Sequence, residues 1–257
     1  MKTVRHLEFE NEIVKYYVDD NTGVLKLKEK IFESFSNIDM GNLLQSFLEW
    51  IEQDKVVKAL LVMNEPNAFS EKGYAAFMNQ ILQKDENNNF TGRVIPEMRV
   101  LRARQMNAFR NFITKIVNIS KIVIFGLSGE IVTPFVGVAM AGDFRFAATG
   151  AFFSMAHLKY NVHPVGAAPF FLGRYAGQPK AMEILFDTKP LAAEQALELG
   201  LLNGIFDSVS FEEECVAKAN YYAGFGSRLI ELTKNLTYGI KKDLENYFAE
   251  ESKLVGY

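Results

Sequence analysis

An α/β fold is predicted by three features of this 257-residue chain. Short apolar runs of strand length alternate with stretches whose apolar residues recur every three to four positions. Glycine, proline and asparagine clusters stand where one kind of segment gives way to the other. Hydrophobic residues make up 49% and charged residues 23%, enough apolar material for a sizeable core and too little charge for a disordered chain.

The elements can be taken in order. "EIVKYYVDDNTGVLKLKE" (12–29) alternates on both sides of an Asp-Asn-Thr-Gly turn, which predicts a hairpin. From Gly41, the positions Leu43, Leu44, Phe47, Leu48 and Ile51 return at helical spacing. "KALLVMN" (58–64) suits a buried strand and ends at the turn-like "NEPNAFSEKG". Residues 74–119 read as mostly helical, broken by the polar "KDENNNFTG". "KIVIFGLSG" (121–129) is a second buried strand. It leads into "SGEIVTPFVGVAMAGDFRFAA" (128–148), where Thr133 suits an N-cap and Pro134 the first helical position, whose N–H a helix leaves unused. "DFRFAATGAFFSM" gives two short strands about Thr-Gly, "LAAEQALELG" a helix closed by Gly200, and "LLNGIF" a final strand. Leu229, Leu232, Leu236, Ile240, Leu244 and Phe248 then keep one helical stripe, which needs a partner surface on its own core or on another subunit. This pattern divides the chain into a core over 1–204 and a helical C-terminal region over 205–257.

Composition narrows the function. A formal charge of −3 gives no reason to expect nucleic acid as a partner. The single Cys215 cannot close an internal disulfide. No run approaches eighteen uncharged apolar residues, so no membrane span is expected. The charged, alternating N-terminus does not read as a signal peptide; the cytoplasm is the expected location, and the glycosylation-like triplets at Asn89, Asn118 and Asn235 are chance matches. Phosphate-loop, dinucleotide-binding and G-x-S-x-G patterns are absent, and His6, His157 and His163 are too dispersed for a metal site.

Residues 121–206 resemble the enoyl-CoA hydratase/isomerase (crotonase) superfamily. The marks are "GDFRFAA", where that family usually has Cys-Asp-Ile-Arg-x-Ala, together with "AMEIL" and "AAEQALELGLLNGIF". "KALLVMNEPNAFSEKG" is similar to the family's earlier strand and loop. The resemblance implies a spiral of ββα units with a helical C-terminal region, assembled as a homotrimer or a pair of trimers. It also implies an acyl-CoA thioester substrate, with coenzyme A entering as part of the substrate and no separate cofactor. The family's shared chemistry is stabilisation of a thioester enolate by two backbone N–H groups.

Carried over position by position, the first donor falls at Gly73 and the second at Pro134, which has no N–H. Losing one such donor costs about a hundred- to a thousandfold in rate. The amides of Phe135 and Val136, at the positive end of the following helix, can replace it; alternatively the Thr133 side chain caps them and the hole stays incomplete. The hydratase glutamates fall at Gly137 and His157, and the dehalogenase aspartate at Val165, so ordinary hydration and dehalogenation are not expected. The resemblance thus assigns catalysis to His157, Gly73 and Phe135, and substrate binding to Ala68, Ser70, Tyr74, Pro134, Gly137 and His163. For His157 a general acid–base role and a satisfied structural role both stand. Glu130 reads as solvated, His163 as a turn residue and Asp143 as a structural hydrogen-bonding group. Arg99, Arg102 and Arg110 share an arc of about 80° on a helix of ideal periodicity, a face open to solvent, another subunit, CoA phosphates or RNA.

Two functions follow. One is an acyl-CoA enzyme of altered chemistry: isomerase, decarboxylase or hydrolase-like. The other is a non-catalytic oligomeric scaffold or CoA-ligand binding protein. RNA binding is a distant third.

Overall fold

The computed structural model describes residues 6–237 and 239–256. The first five residues of the charged N-terminus, and Tyr238 inside the expected C-terminal helix, lie outside the described residues.

Alternation builds the first edge of the main sheet. β1 (His6–Glu10) pairs antiparallel with β2 (Val14–Asp19), which turns through Asp20, at φ 53°, into β3 (Thr22–Leu27). The expected hairpin is therefore present. After α1 (Ile31–Ser34) and α2 (Ile38–Gln53), β4 (Ala59–Asn64) runs parallel to β3 with all six residues buried, as a strand covered on both faces requires. α3 (Glu71–Ile81) leads into a small hairpin, β5 (Leu82–Lys84) and β6 (Phe90–Val94). The polar "KDENNNFTG" thus forms a turn and a strand rather than a helix break, its tip held by Asp85 Oδ1 accepting from the Asn87 and Asn89 amides.

α4 (Arg99–Asn118) returns the chain to β7 (Ile122–Leu127), which lies parallel to β4. β8 (Glu130–Val132), α5 (Phe135–Met140), β9 (Phe144–Ala148) and β10 (Phe152–Ser154) follow. β9 joins the main sheet beside β7, whereas β10 pairs with β8, so the Thr-Gly turn connects two sheets. A 3₁₀ turn (Ala156–Tyr160), α6 (Ala168–Tyr175) and α7 (Gln178–Phe186) precede β11 (Leu191–Ala192), α8 (Ala193–Glu198) and β12 (Gly204–Phe206). The main sheet has the order β1-β2-β3-β4-β7-β9-β12, and the second β11-β10-β8. Gly200, at φ 71°, closes α8 as expected.

One sheet face packs against α2 to α5 through an aromatic cluster in which Phe35 stacks on Phe109 at 3.9 Å and Phe69 on Phe135 at 4.1 Å. α9 (Phe211–Ala223) covers the opposite face, bringing Phe211, Cys215 and Ala219 onto Tyr17, Leu61 and Ile124. The expected single C-terminal helix is two, α10 (Ser227–Thr237) and α11 (Lys241–Glu251). Its stripe divides accordingly: Leu229, Leu232 and Leu236 are exposed, while Ile240, Leu244 and Phe248 join the main core.

Asp143 holds the structural position foreseen for it. Its carboxylate accepts from the Val123 amide and from Lys234 Nζ, each at 2.7 Å, and Lys234 also donates to the Lys121 carbonyl. Both side chains of this ion pair are under one-tenth exposed, so α10 is fastened to β7 by a buried charge. Asp143→Ala, which strands that ammonium, is expected to lower the unfolding free energy by about 3–5 kcal/mol in urea denaturation.

Candidate functional site

The chain runs from β4 into α3 and from β7 through β8 into α5, and Phe69, just before α3, stacks on Phe135, the first residue of α5, at 4.1 Å. Asn64 ties the strands together: its amide donates to the Ser128 carbonyl at 2.7 Å and its carbonyl accepts from the Ser128 amide at 3.0 Å. The loop before α3 is joined to β8 by the Val132 amide, which donates to the Phe69 carbonyl at 2.9 Å. Ala68 is buried in that loop. Ser70 occupies the N-cap position of α3 without bonding the helix, its hydroxyl donating instead to the Asn67 carbonyl. Glu130, expected in solvent, caps α3 by accepting from the Glu71 amide at 3.0 Å, a favourable place for a carboxylate. The Gly73 amide, third in the helix, is consequently not taken by a Ser70 cap. A Cβ on Gly73 would lie 2.8 Å from Phe32 Cβ, so glycine also admits α1.

The second N-terminus corrects the expected cap. Pro134 itself stands at the N-cap of α5, after a cis Thr133–Pro134 peptide, and its carbonyl accepts from the Gly137 and Val138 amides. Thr133 is committed to β10: its amide donates to the Ser154 carbonyl at 3.0 Å, and its hydroxyl lies 3.2 Å from both that carbonyl and His157 Nδ1. The Phe135 and Val136 amides, ahead of the first intrahelical pairs, are therefore not capped by Thr133.

His157 is 3% exposed and bonds Thr133 and the Leu185 carbonyl. Burial, then the neighbouring His163, bring its pKa down to about 4, so the ring is neutral at pH 7. The structure thus gives His157 the satisfied, structural environment. His163 lies by the C-terminal segment, with Nδ1 3.2 Å from the Pro164 carbonyl and Nε2 3.3 Å from that of Leu254. Tyr74 is fully buried between Phe32 and Tyr160, and burial pushes its hydroxyl up to about 12. Tyr160 and Lys159 both bond the Glu71 carboxylate.

A fixed backbone contact accounts for Gly137. A Cβ there would fall 1.7 Å from the Gly166 carbonyl oxygen and 2.6 Å from the Ala168 amide, so no side chain fits. Behind this loop, Glu251 of α11 accepts from the Gly166 and Ala167 amides and from the Tyr247 hydroxyl at 3.1 Å. Burial pushes the Glu251 carboxyl up to about 7. Arg102 faces the same region and is 0% exposed, whereas Arg99 and Arg110 are exposed, so the three arginines do not form one basic face. Arg102 Nη1 donates to Gln105 Oε1 at 2.8 Å, but Arg102 Nε and Nη2 and Gln105 Nε2 meet no acceptor among the described residues. Each buried donor left so costs about 1–3 kcal/mol. Two surface clefts lie apart from these residues, one of about 410 Å³ between α2 and α4 and one of about 680 Å³ lined by Arg93, Arg99 and Lys253. Among the described residues no group of three His, Cys, Asp or Glu is placed to hold a metal, and no helix is long and apolar enough to cross a membrane.

The family model described as enoyl-CoA hydratase/isomerase matches residues 19–257. The chain belongs to the enoyl-CoA hydratase/isomerase family. It is 25% identical over 227 residues to the 1,2-epoxyphenylacetyl-CoA isomerase of Escherichia coli (strain K12), covering 87% of this chain and 82% of that one. It is 27% identical over 132 residues to 4-chlorobenzoyl coenzyme A dehalogenase-1 of an Arthrobacter species, covering 51% of this chain and 48% of the relative. It is 22% identical over 153 residues to the mouse (Mus musculus) chromodomain Y-like protein 2, covering 60% and 30%. The chain thus spans less than half the length of these last two relatives. In fold it matches an enoyl-CoA hydratase from Bacillus halodurans with a TM-score of 0.77 at 17% identity, covering 94% and 93% of the two chains. ThnE from S. clavuligerus matches with a TM-score of 0.71 at 15% identity, covering 91% and 96%. The α/β crotonase-type fold expected from the resemblance is the fold of this chain.

Within this family member, sequence reasoning singled out Gly73, Pro134, Gly137 and His157 but missed Glu251, Tyr247 and Gln105. No motif marks them; a glutamate on an apolar stripe beside Phe248 was the one available signal.

Two outcomes are expected from these environments. The His157 ring, followed by NMR, should titrate below pH 5. For Glu251 the folded pKa of about 7 exceeds the ordinary 4.5, so its contribution is fully present below pH 4.5 and lost as pH rises through 7. From pH 5 to 8, urea denaturation should show the wild type losing up to about 3 kcal/mol relative to Glu251→Gln.

Proposed function

We propose that this chain binds an acyl-CoA thioester with the carbonyl oxygen between the first turns of α3 and α5, and that it does not hydrate enoyl-CoA. The observation that carries this is the convergence of the two helix N-termini across the Phe69–Phe135 stack, with Gly73 and Phe135 presenting amides that neither Ser70 nor Thr133 caps. Oriented amides of this kind favour the negative charge that grows on a thioester oxygen as an enolate forms. Pro134 and Ala68 would border the acyl group. Ser70 and Tyr74 flank the first donor, and His163 stands by the C-terminal segment, near His157. Coenzyme A belongs to the substrate, with no further cofactor.

Hydration needs acid–base groups that are missing. Gly137 has no room for a carboxylate, and His157 is neutral and hydrogen-bonded. Each such group is worth roughly a hundred- to ten-thousandfold in rate. Isomerisation, decarboxylation or thioester cleavage remain as enolate chemistries that two amides support without a carboxylate pair; catalysis by His157 would require its ring to leave Thr133. The proposal also takes the chain to assemble as a homotrimer or pair of trimers in the cytoplasm, with the exposed leucines of α10 as surface for another subunit.

A second reading, a non-catalytic member that binds a CoA ligand or serves as a scaffold, is favoured by Pro134 and by the burial of Phe135 and His157. Calorimetric titration with acetyl-CoA and butyryl-CoA tests the first reading: micromolar binding is expected, and no heat near millimolar ligand contradicts it. A mass-spectrometric screen of thioesters then separates the two, since turnover above the uncatalysed rate excludes the non-catalytic protein. Crotonyl-CoA should remain unhydrated, both by the wild type and by Gly137→Glu, which should also unfold readily.

A further inference from the structure

The inner face of α4 carries a group that neither the proposed thioester site nor the apolar core uses. Arg102 is wholly buried, and the two nitrogens without an acceptor, Nε and Nη2, are neighbours on one edge of the guanidinium. Their N–H bonds point the same way, the geometry that takes both oxygens of one carboxylate. Gln105 Nε2, one turn further along α4, is a third buried donor without an acceptor. Three open donors, joined through the Arg102 Nη1 bond to Gln105 Oε1, select an acceptor-only ligand.

The chain's own anionic candidates do not fill this edge. Tyr74 and Glu251 both act electrostatically on Arg102, yet neither hydrogen-bonds to it. The Tyr74 hydroxyl stays protonated at neutral pH. Glu251 is occupied by the Tyr247 hydroxyl and by the Gly166 and Ala167 amides. Position gives the edge its meaning: Tyr74, which follows Gly73 in α3, is buried and electrostatically coupled to Arg102, so the open donors belong to the same buried region as the helix whose amide is assigned to the thioester carbonyl.

We propose that Arg102 and Gln105 bind a carboxylate at the distal end of the acyl group, making the ligand a coenzyme A monothioester of a dicarboxylic acid. This rests on the acyl-CoA reading above. Because Arg102 is sealed, the ligand enters by lifting the end of α11, which is held by Glu251 on the Gly166–Ala167 amides and by His163 near the Leu254 carbonyl.

The experiment is calorimetric titration of the full chain with butyryl-CoA, succinyl-CoA and glutaryl-CoA. One of the two carboxylated thioesters should bind at least about tenfold more tightly than butyryl-CoA, as a charge-assisted pair of hydrogen bonds provides. That ratio should fall towards one in Arg102→Met and by several-fold in Gln105→Leu, the milder variant that decides the matter if Arg102→Met does not fold. Equal binding of all three thioesters by the wild type overturns the carboxylate site and leaves the acyl-CoA reading standing. A preference undiminished in both variants likewise assigns the carboxylate elsewhere. If no thioester binds, the acyl-CoA reading falls and this proposal falls with it.

Discussion

The approach of the Gly166 carbonyl to Gly137 is the contact on which the rest of the site depends. It leaves no volume for a side chain on the inner face of α5, so the position cannot hold a carboxylate without moving the backbone. The loop that makes this contact runs through left-handed conformations at Gly166, φ 75°, and Ala167, φ 57°, the second of which alanine adopts only at a cost. Glu251 stabilises it from behind by accepting both amides, and its own desolvation is what raises its pKa. A residue of α11 is thus bonded to the loop that closes on the first turn of α5.

That constraint passes to both sides of α5. Gly166 also abuts Pro134, where a Cβ on the glycine would stand 2.7 Å from the proline carbonyl, fixing the residue that has no N–H to offer. With Thr133 drawn to β10, the amides of the first turn become the group's remaining polar resource, and the stacked rings of Phe69 and Phe135 hold the two helix ends in register. The outcome is two helix ends in an aromatic setting, with no room for a carboxylate at Gly137 on α5. In the proposed reading these amides polarise a thioester carbonyl.

How far the sequence disclosed this depended on the range of the interactions. The β2–β3 hairpin and the buried β4 follow from local alternation and an unbroken apolar run, and both were legible. The β5–β6 hairpin was not, because a three-residue strand is too short to show a period. The leucine spacing carried a single helix through Gly239, since periodicity continues across a break that only tertiary packing reveals. Arg102 was grouped with Arg99 and Arg110 because helical geometry gives angular position and says nothing of what packs there; α3 and α11, distant in sequence, decide its burial. The departures at Pro134, Gly137 and His157 were visible as residues, whereas the packing of the Gly166 loop against Pro134 and Gly137, and of Glu251 behind that loop, is a set of long-range contacts without a sequence pattern.

In the proposed complex two backbone amides, from Gly73 and Phe135, receive the thioester oxygen. The most direct measurement is an amide NMR titration of protein labelled with ¹⁵N-glycine and ¹⁵N-phenylalanine, using butyryl-CoA with free coenzyme A as the control. Saturable downfield shifts of the Gly73 and Phe135 amide protons are expected with the thioester and not with coenzyme A alone. Binding that leaves both resonances unmoved would contradict the proposed complex.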